Sequence, residues 1–185
     1  MLRMEYPEVQ KANGDIESAK EALVTLGWEP IGAGNHAEAF TKGDRVVKIG
    51  RVNADNYMNY VRMIGLRTHN PHLPYIYSVQ VFDMEPDTEN SNPFYVVEME
   101  KLDGVTRESD HSYWRKLLDA GNPSVLNQYQ IEKVEPKTGA MEEVKKILLH
   151  LYNCYDARYD VRCYDGYTSN VMWRGDTAVF IDPVV

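Results

Sequence analysis

The spacing of hydrophobic positions changes several times along the chain, and each change predicts a different element. Over Asp15–Leu26 apolar residues recur every three or four positions, which is typical of one helix face, with Asp15 as the N-cap and Gly27 as the end. Short apolar runs between glycine-containing turns predict strands over Trp28–Gly50. Helical spacing returns over Asp55–Leu66, so this part of the chain predicts a helix, a group of strands and a second helix.

The remaining chain alternates between strand and helix patterns. It predicts paired strands over Tyr75–Phe82 and Phe94–Met99, helices over Ser109–Ala120 and Met141–Tyr155, and a short hairpin around Arg174–Asp176. The polar, acidic segment 83–93 predicts a mobile loop. The amino-acid composition changes after Leu102–Gly104, which predicts a hinge between two lobes. We therefore expect an α+β chain of two lobes, with an antiparallel sheet in residues 1–102 and an abbreviated helical lobe in residues 103–185.

Composition and charge narrow the class of protein. The 185 residues are 43% hydrophobic, enough for one substantial core or two small lobes, and the formal net charge is −8. Nonspecific nucleic-acid binders are normally basic, so a nucleic-acid partner is not favoured. Cys154 and Cys163 have no framework of partner cysteines, and the sequence shows no signal peptide and no membrane-spanning apolar run. We therefore expect a cytoplasmic protein without a membrane partner.

The most distinctive chemistry lies near the C-terminal end, in Asp165, Asn170 and Asp182. Asp165 and Asn170 have the spacing of a kinase catalytic loop, and Asp182 follows an apolar strand. In that arrangement Asp165 orients the attacking hydroxyl, while Asn170 and Asp182 supply the oxygen ligands that Mg²⁺ requires. The same residues also fit a simple turn at Asp165–Gly166 and a polar chain end at Asp182–Pro183.

A glycine turn and a lysine form the second part of the candidate site. Gly32, Gly34 and Asn35 lie in a turn where the backbone can approach phosphates, and Phe40 would cover the phosphates from above. Lys48 lies between apolar residues of the strand that follows this hairpin, where phosphate oxygens would offset the cost of burying its ammonium. An ordinary hairpin turn and a solvent-facing lysine are the alternatives. Joined to the C-terminal motif in this order, the pattern predicts a protein-kinase-like fold that binds ATP and Mg²⁺.

One residue of the usual kinase arrangement is missing. The phosphate-binding lysine normally pairs with a glutamate on the following helix. In the helix predicted after Lys48, Asp55 at the first turn is the only carboxylate, and an N-cap role explains it. Either another group orients Lys48, or catalysis is weak or absent.

Five sequence blocks resemble the early serine/threonine protein kinases of T7-type bacteriophages. The blocks are Gly32–His36, Arg45–Gly50, Leu73–Gln80, Tyr164–Met172 and Ile181–Pro183. The resemblance implies a phage-encoded, ATP-dependent protein kinase that modifies host proteins during infection. It assigns phosphate contact to Lys48 and catalysis to Asp165. It makes Asn170 and Asp182 the metal ligands.

Three functions follow from these patterns. An active kinase acting on a host protein is favoured because the phosphate and metal residues form a complete set. The alternative is a pseudokinase that inhibits a host protein by binding, suggested by the missing glutamate and by the few residues after Asp182. Phosphorylation of a small molecule ranks third, since such kinases build their substrate pocket largely from later helices.

Overall fold

The computed structural model describes Val9 and residues 15–34, 36–52, 57–66, 69–82, 93–104, 135–136, 138–153 and 171–181. In chain order the elements are helix α1 (Ile16–Thr25), strands β1 (Glu29–Ala33), β2 (Ala37–Lys42) and β3 (Arg45–Arg51), helix α2 (Tyr57–Ile64), strands β4 (Ile76–Phe82) and β5 (Phe94–Glu100), helix α3 (Gly139–Asn153), and strands β6 (Val171–Arg174) and β7 (Thr177–Phe180). Most of them coincide with a predicted helix or strand to within a few residues, but β1 includes Gly32, which was predicted in a turn. The helix predicted over 109–120 and most of the loop predicted over 83–93 lie outside the described residues. Among the described helices, none is long and apolar enough to cross a membrane.

Within the described residues, five strands form one antiparallel sheet in the order β1-β2-β3-β5-β4. A two-residue turn joins β2 to β3, and its first residue, Gly43, has a φ of 61° that favours glycine. β3 pairs with β5 from end to end, so it lies in the centre of the sheet. The prediction of an α+β chain with an antiparallel sheet is confirmed.

One face of the sheet packs against α1. Asp15 caps this helix by accepting a hydrogen bond from the Ser18 N–H at 2.9 Å, and Gly27, at a φ of 82°, follows its end. The buried residues of α1 are Ile16, Ala19 and Leu23. They join a hydrophobic cluster whose strand members are Phe40, Val47, Ile49, Phe94 and Val96. This cluster fixes which side chains of each strand face α1.

The chain divides into two compact units. The first comprises Met1–Met58 and Tyr75–Lys101, and the second comprises Asn59–Pro74 and Leu102–Val185. Our sequence-based division lay at residue 102. The segment Asn59–Pro74, which we had assigned to the first lobe, is grouped with the second unit.

In the second unit, backbone and side-chain hydrogen bonds tie the β6–β7 hairpin to the segment Asn59–Pro74. The Phe180 N–H donates to the His72 carbonyl at 3.0 Å, and the Tyr60 hydroxyl donates to the Phe180 carbonyl. At the other side of this segment, the Asn70 side-chain amide donates to the Ala140 carbonyl in the first turn of α3 at 2.9 Å. These long-range bonds explain why the segment belongs to this unit.

Candidate functional site

Lys48 lies in the middle of β3, on the sheet face turned away from α1. Its neighbours Val47 and Ile49 are fully buried in the α1 cluster, so strand alternation places Lys48 on the opposite face. There its Nζ atom lies 3.6 Å from the centre of the Tyr57 ring, well within cation–π range. Tyr57 is the first residue of α2, and its side chain is fully buried. Lys48, which is half-buried, therefore has an aromatic neighbour on the helix that carries the orienting glutamate in protein kinases.

The strand register brings Gly32 into the same row as Lys48. Gly32 pairs with Ala39, and Ala39 pairs with Lys48, so the row runs across β1, β2 and β3. Paired residues of antiparallel strands share a face, and a spacing of about 4.8 Å per strand separates the Gly32 and Lys48 backbones by about 10 Å. A Cβ atom built on Gly32 would meet nothing within 4 Å. The sheet beside Lys48 is thus lined by small residues and open above Gly32.

A β-bulge is responsible for the position of Gly32. The register shifts between Pro30 and Gly32, which leaves Ile31 as the extra residue of β1. With a regular register Ile31 would pair with Ala39, and its branched side chain would lie on the face of Lys48. The bulge puts a glycine there instead, and Ile31 is 51% exposed.

The turn between β1 and β2 contributes less than the sequence suggested. The Gly34 N–H donates to the Ala37 carbonyl at 2.8 Å, so this amide closes the turn rather than pointing at a ligand. Asn35 lies outside the described residues. Gly32, which was predicted in this turn, lies in β1 and is in the row of Lys48.

The structure places Phe40 away from Lys48. Phe40 is 2% exposed and belongs to the hydrophobic cluster against α1. Its register partner on β3 is Val47, which faces α1, whereas Lys48 faces the other way. This position corrects our expectation for Phe40, because a side chain in that core packs the sheet and does not cover phosphates beside Lys48.

Tyr95 packs beside the Tyr57 ring, on the same face of the sheet as Lys48. The two rings have centroids 5.5 Å apart and are tilted by 36°. Tyr95 pairs with Gly50, and a Cβ atom on Gly50 would lie 2.5 Å from the Tyr95 hydroxyl oxygen and 2.9 Å from the Ala37 Cβ. The ring of Tyr95 therefore occupies the space that a side chain at Gly50 would need.

On the α1 face, a cavity of about 170 Å³ lies beside the glycine turn. Its lining includes Lys20 and Arg51 but also Glu17 and Glu38. Lys20 is bound to both carboxylates, at 2.8 Å from Glu17 and 2.5 Å from Glu38. Burial alone would lower the pKa of Lys20, but these two partners outweigh burial and raise it. Since Lys20 is already paired with two carboxylates, which would repel a phosphate, the face of Lys48 is the better candidate.

The three acidic or amide residues of the C-terminal motif, Asp165, Asn170 and Asp182, lie outside the described residues. Their predicted roles in catalysis and Mg²⁺ binding stay predictions. In sequence, Asp182 follows Phe180 by two positions, and Phe180 is the last residue of β7. Within the part of the chain that the structure describes, no three His, Cys, Asp or Glu side chains cluster as a metal site.

Two features of this face were not predicted from the sequence. The contact of Tyr57 with Lys48 joins residues on different elements, and the helical spacing of the sequence does not show it. The bulge at Ile31 has no clear signal, because all of β1 is exposed and shows no hydrophobic alternation. A glycine followed two positions later by another glycine was the available hint of a departure from regular pairing.

No known family model matches this sequence, and no curated protein matches it at a significant level.

Proposed function

We propose that this protein is a protein-kinase-like phosphotransferase that binds Mg-ATP and phosphorylates serine or threonine in a host protein during phage infection. The observation that carries the proposal is the position of Lys48. Its ammonium lies on the central strand β3, in one row with the open backbone at Gly32. An ammonium on the same sheet face as an uncovered glycine backbone about 10 Å away suits the phosphates of a nucleotide.

The order of elements supports the same proposal. Protein kinases have a glycine-rich turn between their first two strands, the phosphate-binding lysine on the third strand, and a helix that orients this lysine. Here the glycine turn joins β1 to β2, Lys48 lies on β3, and α2 contributes the ring that contacts it. The other face of the sheet packs against α1 through the hydrophobic cluster.

In the proposed reaction the γ-phosphoryl group passes from ATP to a serine or threonine hydroxyl. The new bond joins phosphorus to the hydroxyl oxygen, the bond between phosphorus and the ADP oxygen breaks, and Asp165 accepts the hydroxyl proton. Asn170 and Asp182 would bind the Mg²⁺ that neutralises charge on the phosphates. Lys48 would hold the phosphates in place.

Nucleotide binding is tested by thermal unfolding with Mg-ATP, ATP alone and Mg²⁺ alone. A ligand that binds the folded state at 100 times its Kd stabilises it by about 2.7 kcal/mol, so Mg-ATP should raise the Tm by several degrees. Lys48→Met should abolish most of this shift. Lys146→Met is the matched control, because it removes the same charge from the exposed surface of α3. Equal shifts in both variants would contradict the assigned role of Lys48.

Phosphoryl transfer is tested with γ-labelled ATP and extracts of host cells. Transfer to host proteins should disappear in Asp165→Ala and in Asp182→Ala. Asp176→Ala serves as the control, because Asp176 is an exposed carboxylate in the β6–β7 turn. Transfer that continues unchanged in both active-site variants would rule out this catalytic assignment.

A second candidate function is a pseudokinase that inhibits a host protein by binding it. The observation that favours it is the tyrosine at the start of α2, where catalytic kinases orient their lysine with a glutamate. It predicts that Asp165→Ala inhibits the host target as well as the wild type does. Loss of inhibition in a correctly folded Asp165→Ala protein would favour the catalytic proposal instead.

A further inference from the structure

The contact between Lys48 and Tyr57 constrains where the lysine ammonium can be. The Nζ atom lies over the ring face at 3.6 Å from its centre, which is the favourable geometry for a cation and an aromatic quadrupole. The ring itself is held: it is fully buried, it packs on Tyr95, and its hydroxyl lies 4.0 Å from the Met99 sulfur. A fixed ring therefore defines the direction of a long, otherwise adaptable side chain.

An aromatic ring and a carboxylate can both orient an ammonium group, but they differ in whether they compensate its positive charge. A carboxylate partner compensates the positive charge of the lysine. A neutral ring attracts the ammonium without adding a negative charge of its own. The sequence of α2 has no acidic residue, so this helix supplies an aromatic group and no counter-charge to β3.

We infer that Tyr57 is a positioning residue for Lys48, its ring holding the ammonium in the row of Gly32 as a helix glutamate does in other kinases. The inference rests on the proposed nucleotide binding for its functional consequence. The contact between ring and lysine is independent of that consequence. The two parts can therefore be tested separately.

The contact is tested by NMR on protein labelled at the lysine ε-carbon, with the Lys48 signal assigned by its loss in Lys48→Met. A proton over a ring face is shifted upfield, so the Lys48 Hε signals should be shifted in the wild type. The shift should remain in Tyr57→Phe and disappear in Tyr57→Leu. Phe94→Leu is the matched control, because it removes a fully buried ring from the α1 face of the same sheet. A Lys48 signal that is unchanged in Tyr57→Leu would overturn the inference.

The effect of Tyr57 on nucleotide binding is tested by measuring the Kd of Mg-ATP in a double-mutant cycle of Tyr57→Leu and Lys48→Met. Tyr57→Leu should weaken binding by about 5- to 20-fold, and Tyr57→Phe should change it by less than about twofold. In the Lys48→Met background, Tyr57→Leu should add no more than about twofold, because the ring acts through the lysine. An undiminished effect of Tyr57→Leu without Lys48 would show general damage to the fold and would overturn the positioning role.

The outcomes separate this inference from the proposed function. If the wild type does not bind Mg-ATP, the proposed function fails, and the NMR series alone decides whether Tyr57 positions Lys48. If Mg-ATP binds and Tyr57→Leu loses the upfield shift without any change in Kd, the nucleotide proposal stands and the positioning role fails. Loss of the shift together with a Lys48-dependent rise in Kd supports both.

Discussion

Gly50 shows how tightly single residues are constrained on the face of Lys48. A Cβ atom at this position would lie 2.5 Å from the Tyr95 hydroxyl oxygen and 2.9 Å from the Ala37 Cβ. Tyr95 is fully buried, so its ring has no exposed position to move into. We expect Gly50→Ala to lower the free energy of unfolding by about 1–3 kcal/mol through overpacking, as measured by urea denaturation.

Gly32→Ala is the matched control for this prediction. Both glycines lie on the same face of neighbouring rows, but a Cβ on Gly32 meets no atom within 4 Å. The stability of Gly32→Ala should therefore stay within about 0.5 kcal/mol of the wild type. If Gly50→Ala unfolds at the same urea concentration as Gly32→Ala, Tyr95 does not pack against Gly50 as described.

At the residue scale, the sequence predicted where helices and strands lie better than it predicted which side chains contact one another. Lys48 and Gly32 were selected by their places in strand and turn, and the register puts them in one row. Phe40 was selected by the same reasoning, yet strand alternation buries it on the opposite face. The face of a residue depends on where the strand begins its alternation, and a bulge such as the one at Ile31 changes that without an obvious mark in the sequence.

At the element scale, α1 was predicted nearly completely because its signals are local. The Asp15 cap, the apolar face and the stop at Gly27 all occur within thirteen residues of sequence, and the structure confirms each. Most strands were recognised from short apolar runs between turns, whereas the Gly32 part of β1 was predicted as a turn. Their order in the sheet, with β5 between β3 and β4, depends on contacts between distant residues and does not follow from those local patterns.

The α1 cap leads to a pH-dependent prediction. The pKa of Asp15 is lowered, first by the hydrogen bond from the Ser18 hydroxyl and then by the bond from the Ser18 N–H. A carboxyl whose pKa is lower in the folded state stabilises that state above its unfolded value of 3.8, and this contribution is lost as the pH falls through the folded value. Asp15→Ala should therefore reduce the Tm at neutral pH. The part of this reduction that comes from the carboxylate charge should become smaller as the pH falls.

Asp15→Asn isolates the charge from the cap. Asparagine also accepts the Ser18 N–H bond but does not titrate in this range. The Tm of the wild type should exceed that of Asp15→Asn at pH 7 and pH 5, and the difference should narrow as the pH drops below 3.8. A difference that grows on acidification would mean that the pKa of Asp15 is shifted in the other direction.

At the scale of the whole molecule, the two units follow long-range hydrogen bonds rather than the order of the sequence. The segment Asn59–Pro74 lies between β3 and β4 in the chain, so the sequence suggested that it belongs with the sheet. It is grouped instead with residues 102–185, because His72 and Tyr60 bond to the end of β7 and Asn70 bonds to α3. Such bonds join residues 70 to 120 positions apart, which no local pattern records.

This grouping predicts which strands are affected when one hydroxyl group is removed from α2. Tyr60→Phe removes a buried hydroxyl that donates to the Phe180 carbonyl, which should cost about 0.5–1.5 kcal/mol. Tyr57→Phe on the same helix is the comparison variant, because Tyr57 belongs to the first unit and its hydroxyl contacts the Met99 sulfur at 4.0 Å. By hydrogen exchange, Tyr60→Phe should speed the amides of β6 and β7 and leave those of β3 and β5 unchanged, since local opening follows the contacts that are lost. Faster exchange spread equally over β3, β5 and β7 would show that the chain unfolds as one unit and would contradict this division.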